Sequence, residues 1–437
     1  MSMKILLSRL VKSRVFYFFL IFAYRTFLDW NYRSIIVPYY GQVYDYSLNL
    51  TIEFTIVSWL ILIVFSIWTE RYYYENNGVT YSVVVVLFFV SVVPFTTLIQ
   101  YGQFSYKYIW LNTTYWFMLY FAVELMKLIK IKKIIIKNSG RWNHDFLINL
   151  IWIVCSVLVI SLCAIYSNFR ISFSLDKVYE LRRESLLYKV PTILRYLYTW
   201  ATWINPFLIA YFIRKKKFIN VAICSIIQIL MFGYDGMKSP FFFAIVVVLI
   251  NTLLPKMKMS LLNCLALYGV TGMTLTARLL NIISGDYVFA NLFINRLCFI
   301  PNVISNAYYS FFSSHTPDYF RSSFLRFFGA ESPYGDIPHT ISMYYFGFDM
   351  GANNGLISDA LTNFGIPGIF IMPFVLAITL KIIDLYTNNL DRRILMPLAI
   401  YLVIMIMSMF YLPILLTGGL IAIVFLLNLM NKSGCTE

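Results

Sequence analysis

Residues 79–99 read VTYSVVVVLFFVSVVPFTTLI, an apolar run without a single charged side chain. About twenty such residues let an α-helix cross the hydrocarbon core of a bilayer, where no water can satisfy a free backbone group. The run therefore predicts a membrane-spanning helix. Similar runs recur along the chain, and they predict an all-α, polytopic integral membrane protein that forms a single membrane domain over residues 1–437.

The composition of the whole chain agrees with this fold class. Of the 437 residues, 60% are hydrophobic and only 13% are charged, and the mean hydropathy is +0.73. A soluble domain carries about 25% charged residues. The net charge of +15 could indicate nucleic-acid binding, but the basic residues cluster between apolar runs, as they do in loops beside anionic lipid. We expect contact with membrane lipid and no nucleic-acid partner.

The same length rule predicts about twelve spanning helices. The first follows a basic N-terminus and has no small-residue cleavage site behind it, so we expect an uncleaved span. Only Leu412-Pro413 separates the last two, and one kinked hairpin there is an alternative. The predicted spans are residues 15–31, 50–68, 79–99, 108–129, 146–169, 194–213, 218–234, 239–254, 260–277, 363–383, 394–411 and 413–430.

Lysine and arginine clusters predict the orientation of these spans. The clusters at 127–141, 214–217, 256–258 and 391–393 all fall on one side of a strictly alternating topology. Cytoplasmic loops carry such an excess of positive charge. We therefore expect both the N-terminus and the C-terminus to be cytoplasmic.

This topology leaves two long outward-facing segments, residues 170–193 and residues 278–362, the second with interfacial helices. Both are too long for simple turns, and both carry positive charge on the side that the positive-inside rule disfavours. Charge placed against that bias favours a role in binding an anion. Arginine suits phosphate because its rigid fork pairs bidentately and never deprotonates. The basic candidates are Arg182, Arg183, Lys238, Arg278, Arg296, Arg321 and Arg326.

Several of these residues also have an ordinary structural explanation. Arg182 and Arg183 could belong to a solvated helix that ion pairs stabilise. Arg296 could extend from the bilayer toward the headgroups, and Lys238 could occupy a simple turn.

The second outward segment also carries Glu331, His339 and Asp359. Asp359 follows an Asn-Gly turn that could start a helix, where an acidic residue often interacts with the helix dipole. The six cysteines mostly lie in apolar runs and predict no disulfide framework. No metal-binding spacing and no Gly-rich phosphate loop occurs, so we expect neither a metal site nor a soluble cofactor.

Residues 351–368, GANNGLISDALTNFGIPG, resemble the signature that ends the large outer loop of Wzy-type O-antigen and capsule repeat-unit polymerases. Other short motifs are similar to that family: Tyr179-x-x-Arg182, Gly236-x-Lys238-Ser239, and Asn295-Arg296 followed by Tyr308-Tyr309. The resemblance covers most of the chain in layout and only short motifs in letters. It implies that Tyr308, Tyr309, Asn353 and Asn354 contact the substrate. O-antigen ligases share the layout and resemble this chain less, because they have a histidine in place of Asn354.

The resemblance implies a metal-independent glycosyltransferase at the outer face of a bacterial inner membrane. Such an enzyme transfers a growing glycan from undecaprenyl pyrophosphate to an incoming lipid-linked repeat unit. Preorganised arginines would stabilise the charge that develops on the pyrophosphate leaving group. This reaction also needs a base for the acceptor, and Glu331, His339 and Asp359 are the outward candidates, with Asp359 preferred. A flippase and a chain-length regulator would be its partners.

Two other functions stay open. A lipid-linked oligosaccharide flippase would need charged residues along a path through the spans, and most charges here lie near span ends. A ligase or acyltransferase would need a histidine that a carboxylate positions, and neither outward histidine, His315 or His339, has an obvious partner nearby in the sequence.

Overall fold

A computed structural model describes residues 13–76, 78–131, 143–171, 175–254, 258–387 and 389–434. Of the residues that the structure describes, 79% are helical and none lies in a β-strand. The all-α prediction is therefore confirmed.

Eight helices in the described residues are long and apolar enough to cross a membrane, which supports a multi-pass membrane protein. Seven of the eight coincide with predicted spans. The eight helical segments are Ile52–Tyr73, Thr80–Gln100, His144–Ser167, Phe218–Asp235, Ser260–Ser284, Val288–Phe312, Gly368–Thr387 and Tyr411–Lys432.

The other five predicted spans are also helical but do not meet the same requirement. The helix Arg14–Asn31, for example, contains Arg25 and Asp29, and Lys238–Leu253 has only 16 residues. The prediction of twelve spans and the predicted orientation of both termini stay predictions. The remaining three helices are Tyr106–Leu128, Thr192–Arg214 and Arg392–Ser408.

The segment 278–362 contains a feature that the sequence did not predict. The helix Val288–Phe312 is long and apolar enough to span, although its asparagines interrupt the apolar pattern. The structure buries three of these asparagines against polar partners. Tyr46 donates to Asn295 at 2.5 Å, Asn302 donates to the Ser91 carbonyl at 3.2 Å, and Asn306 donates to Tyr345 at 3.1 Å. A buried amide that is hydrogen-bonded costs little, so the helix tolerates these residues.

The remainder of the predicted second outer segment contains short elements. They are a 3-10 turn at Leu325–Phe328 and the helices Ile337–Phe346 and Ile357–Phe364. In the predicted first outer segment, a helix covers Leu175–Leu187.

The chain divides into two compact units. Unit 1 comprises Met1–Lys130, Met259–Lys381 and Val403–Leu412, and it contains the predicted second outer segment. Its most buried candidate span is Thr80–Gln100, in which 89% of the 18-residue apolar stretch is buried. Unit 2 comprises Ile131–Lys258, Ile382–Leu402 and Pro413–Glu437, and it contains the predicted first outer segment. The predicted site residues are therefore divided between the two units.

Candidate functional site

The glycines of the motif at 351–368 allow close backbone packing in unit 1. A Cβ at Gly355 would lie 2.0 Å from the Ile406 carbonyl oxygen, and one at Gly368 would lie 2.2 Å from the Ala360 carbonyl oxygen. Gly365 has a φ of +64°, which side chains rarely adopt. Packing alone accounts for these three letters of the motif.

The two asparagines of the motif differ in their surroundings. The Asn354 side chain is buried, and its Nδ2 donates to the Pro301 carbonyl at 2.7 Å and to Ser305 Oγ at 2.9 Å. Asn353 is exposed. The geometry favours a structural role for Asn354 and leaves Asn353 available to a ligand.

Asp359 lies in the interior of unit 1. Its carboxylate accepts hydrogen bonds from Asn363 Nδ2 and from the backbone N–H of Tyr411, each at 2.7 Å. Burial raises the pKa of Asp359 to about 6. With only 2% of its surface exposed, Asp359 has the environment of a structural carboxylate, and the geometry favours that role over the predicted one of a base.

The two tyrosines of the predicted site pack inside unit 1. Tyr308 is fully buried and donates to the Ala352 carbonyl at 3.1 Å, so it connects the long helix Val288–Phe312 to the motif. Tyr309 is half-buried, with its ring 5.3 Å from that of Tyr108. The stretch around them forms the packed end of this helix.

Arg296 is exposed and lies beside a group of tyrosines in unit 1. Burial raises the pKa of Tyr40 and Tyr44, and the positive charge of Arg296 opposes that rise. The two tyrosines lie one helical turn apart in the helix Val37–Tyr44. No described carboxylate forms an ion pair with Arg296. We call Arg296, Tyr40 and Tyr44 the arginine–tyrosine surface. The helix 37–44 was not part of the predicted site.

Neighbouring residues position this surface. Asn295 is buried, and its hydrogen bond with Tyr46 anchors the turn that presents Arg296. The ring of Tyr44 lies 6.0 Å from that of Phe346. Phe346 ends the helix Ile337–Phe346, which also carries His339. Seven residues separate His339 from Phe346, about 10 Å along the helix axis.

His339 has carboxylate partners that the sequence analysis did not find. Its Nδ1 bonds to Asp349, and its Nε2 lies 3.9 Å from Asp336 Oδ2. The hydrogen bond with Asp349 raises the pKa of His339. Gly347, at a φ of +75°, turns the chain so that a carboxylate ten residues along meets the imidazole. The expectation that neither outward histidine has an obvious partner nearby in the sequence is therefore wrong for His339.

The other histidine of this segment has a structural environment. His315 stacks on Phe311 with ring centroids 4.0 Å apart, and its Nδ1 lies 2.8 Å from the Phe311 carbonyl oxygen.

The remaining candidates of unit 1 do not converge on one point in the described contacts. Glu331 and Arg326 are exposed. Arg321 donates to the carbonyls of Asp318 at 2.8 Å and Pro317 at 3.0 Å, which shapes its own loop. Arg278 donates to Asn281 at 2.8 Å and lies 4.8 Å from the Trp30 ring.

The candidates of unit 2 lie near one turn. Arg182 donates through Nε to the Gly236 carbonyl at 3.2 Å, and Gly236 precedes the half-buried Lys238 by two residues. Arg183 is exposed, and Arg170 pairs with Glu184. The structure therefore brings together Arg182 and the turn that contains Lys238, two motifs that were predicted to act in one site.

Among the residues that the structure describes, no three His, Cys, Asp or Glu side chains form a group that could hold a metal ion. Comparison with known proteins found no matching family model, no matching curated protein and no matching solved structure. Functional inference therefore rests on the geometry of the chain itself.

Proposed function

We propose that this protein polymerises lipid-linked oligosaccharide repeat units at the outer face of a bacterial inner membrane. It transfers the growing glycan from undecaprenyl pyrophosphate to the next lipid-linked unit. The observation that carries the proposal is the arginine–tyrosine surface, where an exposed arginine without a carboxylate partner lies beside Tyr40 and Tyr44. The multi-pass helical fold and the resemblance of the motif at 351–368 support it.

The chemistry of the reaction matches these side chains. A hydroxyl oxygen of the acceptor attacks the anomeric carbon of the donor glycan, and the bond from that carbon to the pyrophosphate oxygen breaks. Negative charge grows on the pyrophosphate, where Arg296 supplies a permanent positive charge. Tyrosine offers an apolar ring face and a hydroxyl for hydrogen bonding, and both suit a sugar.

The acceptor proton needs a base, and His339 has the best geometry of the three candidates. It is exposed, unlike Asp359, and Asp349 orients its imidazole, whereas no described partner orients Glu331. A histidine with such a partner suits proton transfer near neutral pH. His339 takes the proton through Nε2 while Nδ1 remains bonded to Asp349.

A ligase is the second candidate, and the bond between His339 and Asp349 favours it. The expected histidine of that family is absent at Asn354, but a carboxylate-positioned histidine is present elsewhere. A ligase would transfer a finished glycan from the lipid carrier to another acceptor, and it would not lengthen the glycan.

Deletion of the gene separates these candidates by glycan size on a gel. Loss of a polymerase leaves single repeat units on the core or the carrier. Loss of a ligase leaves long glycan that remains on the carrier, and loss of a flippase leaves lipid-linked units inside the cell. Normal long-chain glycan at the surface of the deletion strain would rule out the proposal.

A further inference from the structure

A cavity of about 550 Å³ lies in unit 1, apart from the arginine–tyrosine surface. Its lining includes Thr26, Asp29, Trp30, Arg33 and Tyr101. Both the volume and the mixture of apolar and polar groups are typical of a ligand site. None of the predicted site residues lines it.

The position of the cavity along its helix points to the membrane surface. The helix that begins at Arg14 continues through a π-helical turn at Tyr32–Ile36, which carries Arg33. Trp30 and Arg33 follow Arg14 by 16 and 19 residues, about 24 and 29 Å along the axis. The hydrocarbon core is about 30 Å thick. With Arg14 at one face of the membrane, the cavity lies at the other, where tryptophan is enriched.

The charges around the cavity leave one cation without a counter-ion. Arg25 is completely buried and pairs with Asp29. The same guanidinium donates to Thr96 Oγ1 and to Gln100 Oε1, each at 3.0 Å. The buried Arg25 therefore balances the charge of the Asp29 carboxylate. No described carboxylate pairs with Arg33.

A second cation contacts Trp30, a residue of the cavity lining. The Arg278 guanidinium lies 4.8 Å from the centroid of the Trp30 ring, within the range of a cation–π contact. Its Nε is buried without a hydrogen-bond partner. The side chains around the cavity thus present net positive charge to a ligand.

We infer that this cavity binds the phosphate headgroup of a membrane lipid, with Arg33 as its main contact. The π-helical turn places Arg33 and Ser34 at the cavity, and such turns are frequent at functional sites. Trp30 and Leu48, 41% and 49% exposed, provide an apolar edge for an acyl or prenyl chain. The phosphate could belong to an anionic phospholipid or to a polyprenyl phosphate. The inference stands whether or not the chain polymerises glycans.

Native mass spectrometry of the full-length, detergent-solubilised protein tests this inference. Phosphatidylglycerol, a polyprenyl phosphate and uncharged diacylglycerol are added separately. Arg33→Ala removes the cation, and Thr26→Trp fills the cavity while keeping that cation. Lys107→Ala is the matched control, because Lys107 is an exposed cation in the same unit that does not line the cavity.

We expect the wild type to retain at least one of the two phosphate lipids and to release diacylglycerol. Arg33→Ala should retain that lipid roughly tenfold less well, as expected for the loss of one charged hydrogen bond. Thr26→Trp should also retain less of it, because the indole occupies the space of the headgroup, and Lys107→Ala should match the wild type. The phosphate lipid that the wild type retains and the two cavity variants lose identifies the source of the phosphate. Equal retention by Arg33→Ala and the wild type, or an equal loss in Lys107→Ala, would overturn the inference.

Discussion

The carboxylate of Asp359 accepts a hydrogen bond from the backbone N–H of Tyr411, 2.7 Å away, across 52 positions of the chain. Tyr411 lies in the segment Val403–Leu412 of unit 1. The bond therefore links the motif at 351–368 to a distant segment of unit 1. The close approach of Gly355 to the backbone of residues 406–409 strengthens the same link.

Replacement of Asp359 separates its structural role from the predicted catalytic one. Asp359→Asn keeps an oxygen that accepts from Tyr411 N–H, so we expect normal membrane levels and retained activity. Asp359→Ala leaves that N–H without a partner and should cost about 1–3 kcal/mol of stability. Thermal unfolding in detergent and glycan size measure the two effects. A stable but inactive Asp359→Asn protein would restore Asp359 as the base.

The stability of unit 1 should depend on the protonation of Asp359. Burial raises its pKa to about 6 in the folded protein, against about 4 in an unfolded chain. Between these values the folded state binds more protons, so stability decreases as pH rises from about 4 to 6. Across this range the unfolding temperature should decrease more, or increase less, with rising pH in the wild type than in Asp359→Asn. Identical slopes of unfolding temperature against pH in the two proteins would contradict the raised pKa of Asp359.

Two glycines of the same motif should respond differently to alanine. In Gly355→Ala the new Cβ meets two carbonyl oxygens, at 2.0 Å from Ile406 and 2.5 Å from Met409. The backbone must move, and we expect a loss of about 1–3 kcal/mol or more. In Gly351→Ala the nearest atom is the flexible Asn353 amide at 3.1 Å. Gly351→Ala should therefore unfold close to the wild-type temperature. An equal loss of stability in Gly351→Ala and Gly355→Ala would contradict the packing explanation.

The pH dependence of glycan transfer should report on His339. A base must be neutral, and Asp349 raises the pKa of His339 because it stabilises the protonated form. Activity should therefore rise with pH through this raised pKa. In Asp349→Asn the pKa falls, so the rise should move to lower pH. Initial rates in buffers of constant ionic strength test this, and an unchanged profile in Asp349→Asn would exclude His339 as the base.

Arginine at position 296 should matter more than a positive charge alone. Arg296→Ala should lower the rate of transfer on the order of a hundredfold. Arg296→Lys should recover only part of the activity, because an ammonium group lacks the bidentate fork. Lys107→Ala, which removes an exposed cation elsewhere in unit 1, is the control. Full activity and normal glycan length in both Arg296 variants would disprove the contact with pyrophosphate.

Length and hydropathy predicted the helical class and most of the long helices. They could do so because every backbone polar group inside lipid must be hydrogen-bonded within the span, which requires a long apolar helix. They missed Val288–Phe312, because the partners that satisfy its asparagines come from distant parts of the sequence. The local sequence could identify Arg296 as unusual but not Tyr40 and Tyr44 as its neighbours, which lie some 250 positions earlier. Composition could not distinguish Asn353, which is exposed, from Asn354, which is buried.

Reconstitution tests the central claim most directly. The purified protein is placed in liposomes with lipid-linked repeat units extracted from the deletion strain, without nucleotide sugars or other proteins, and the products are separated by size. We expect the wild type to produce a ladder of glycans that lengthens with time. Arg296→Ala should produce this ladder much more slowly. If the wild type leaves only single repeat units, while deletion of the gene still abolishes long glycan in cells, the protein is not the polymerase.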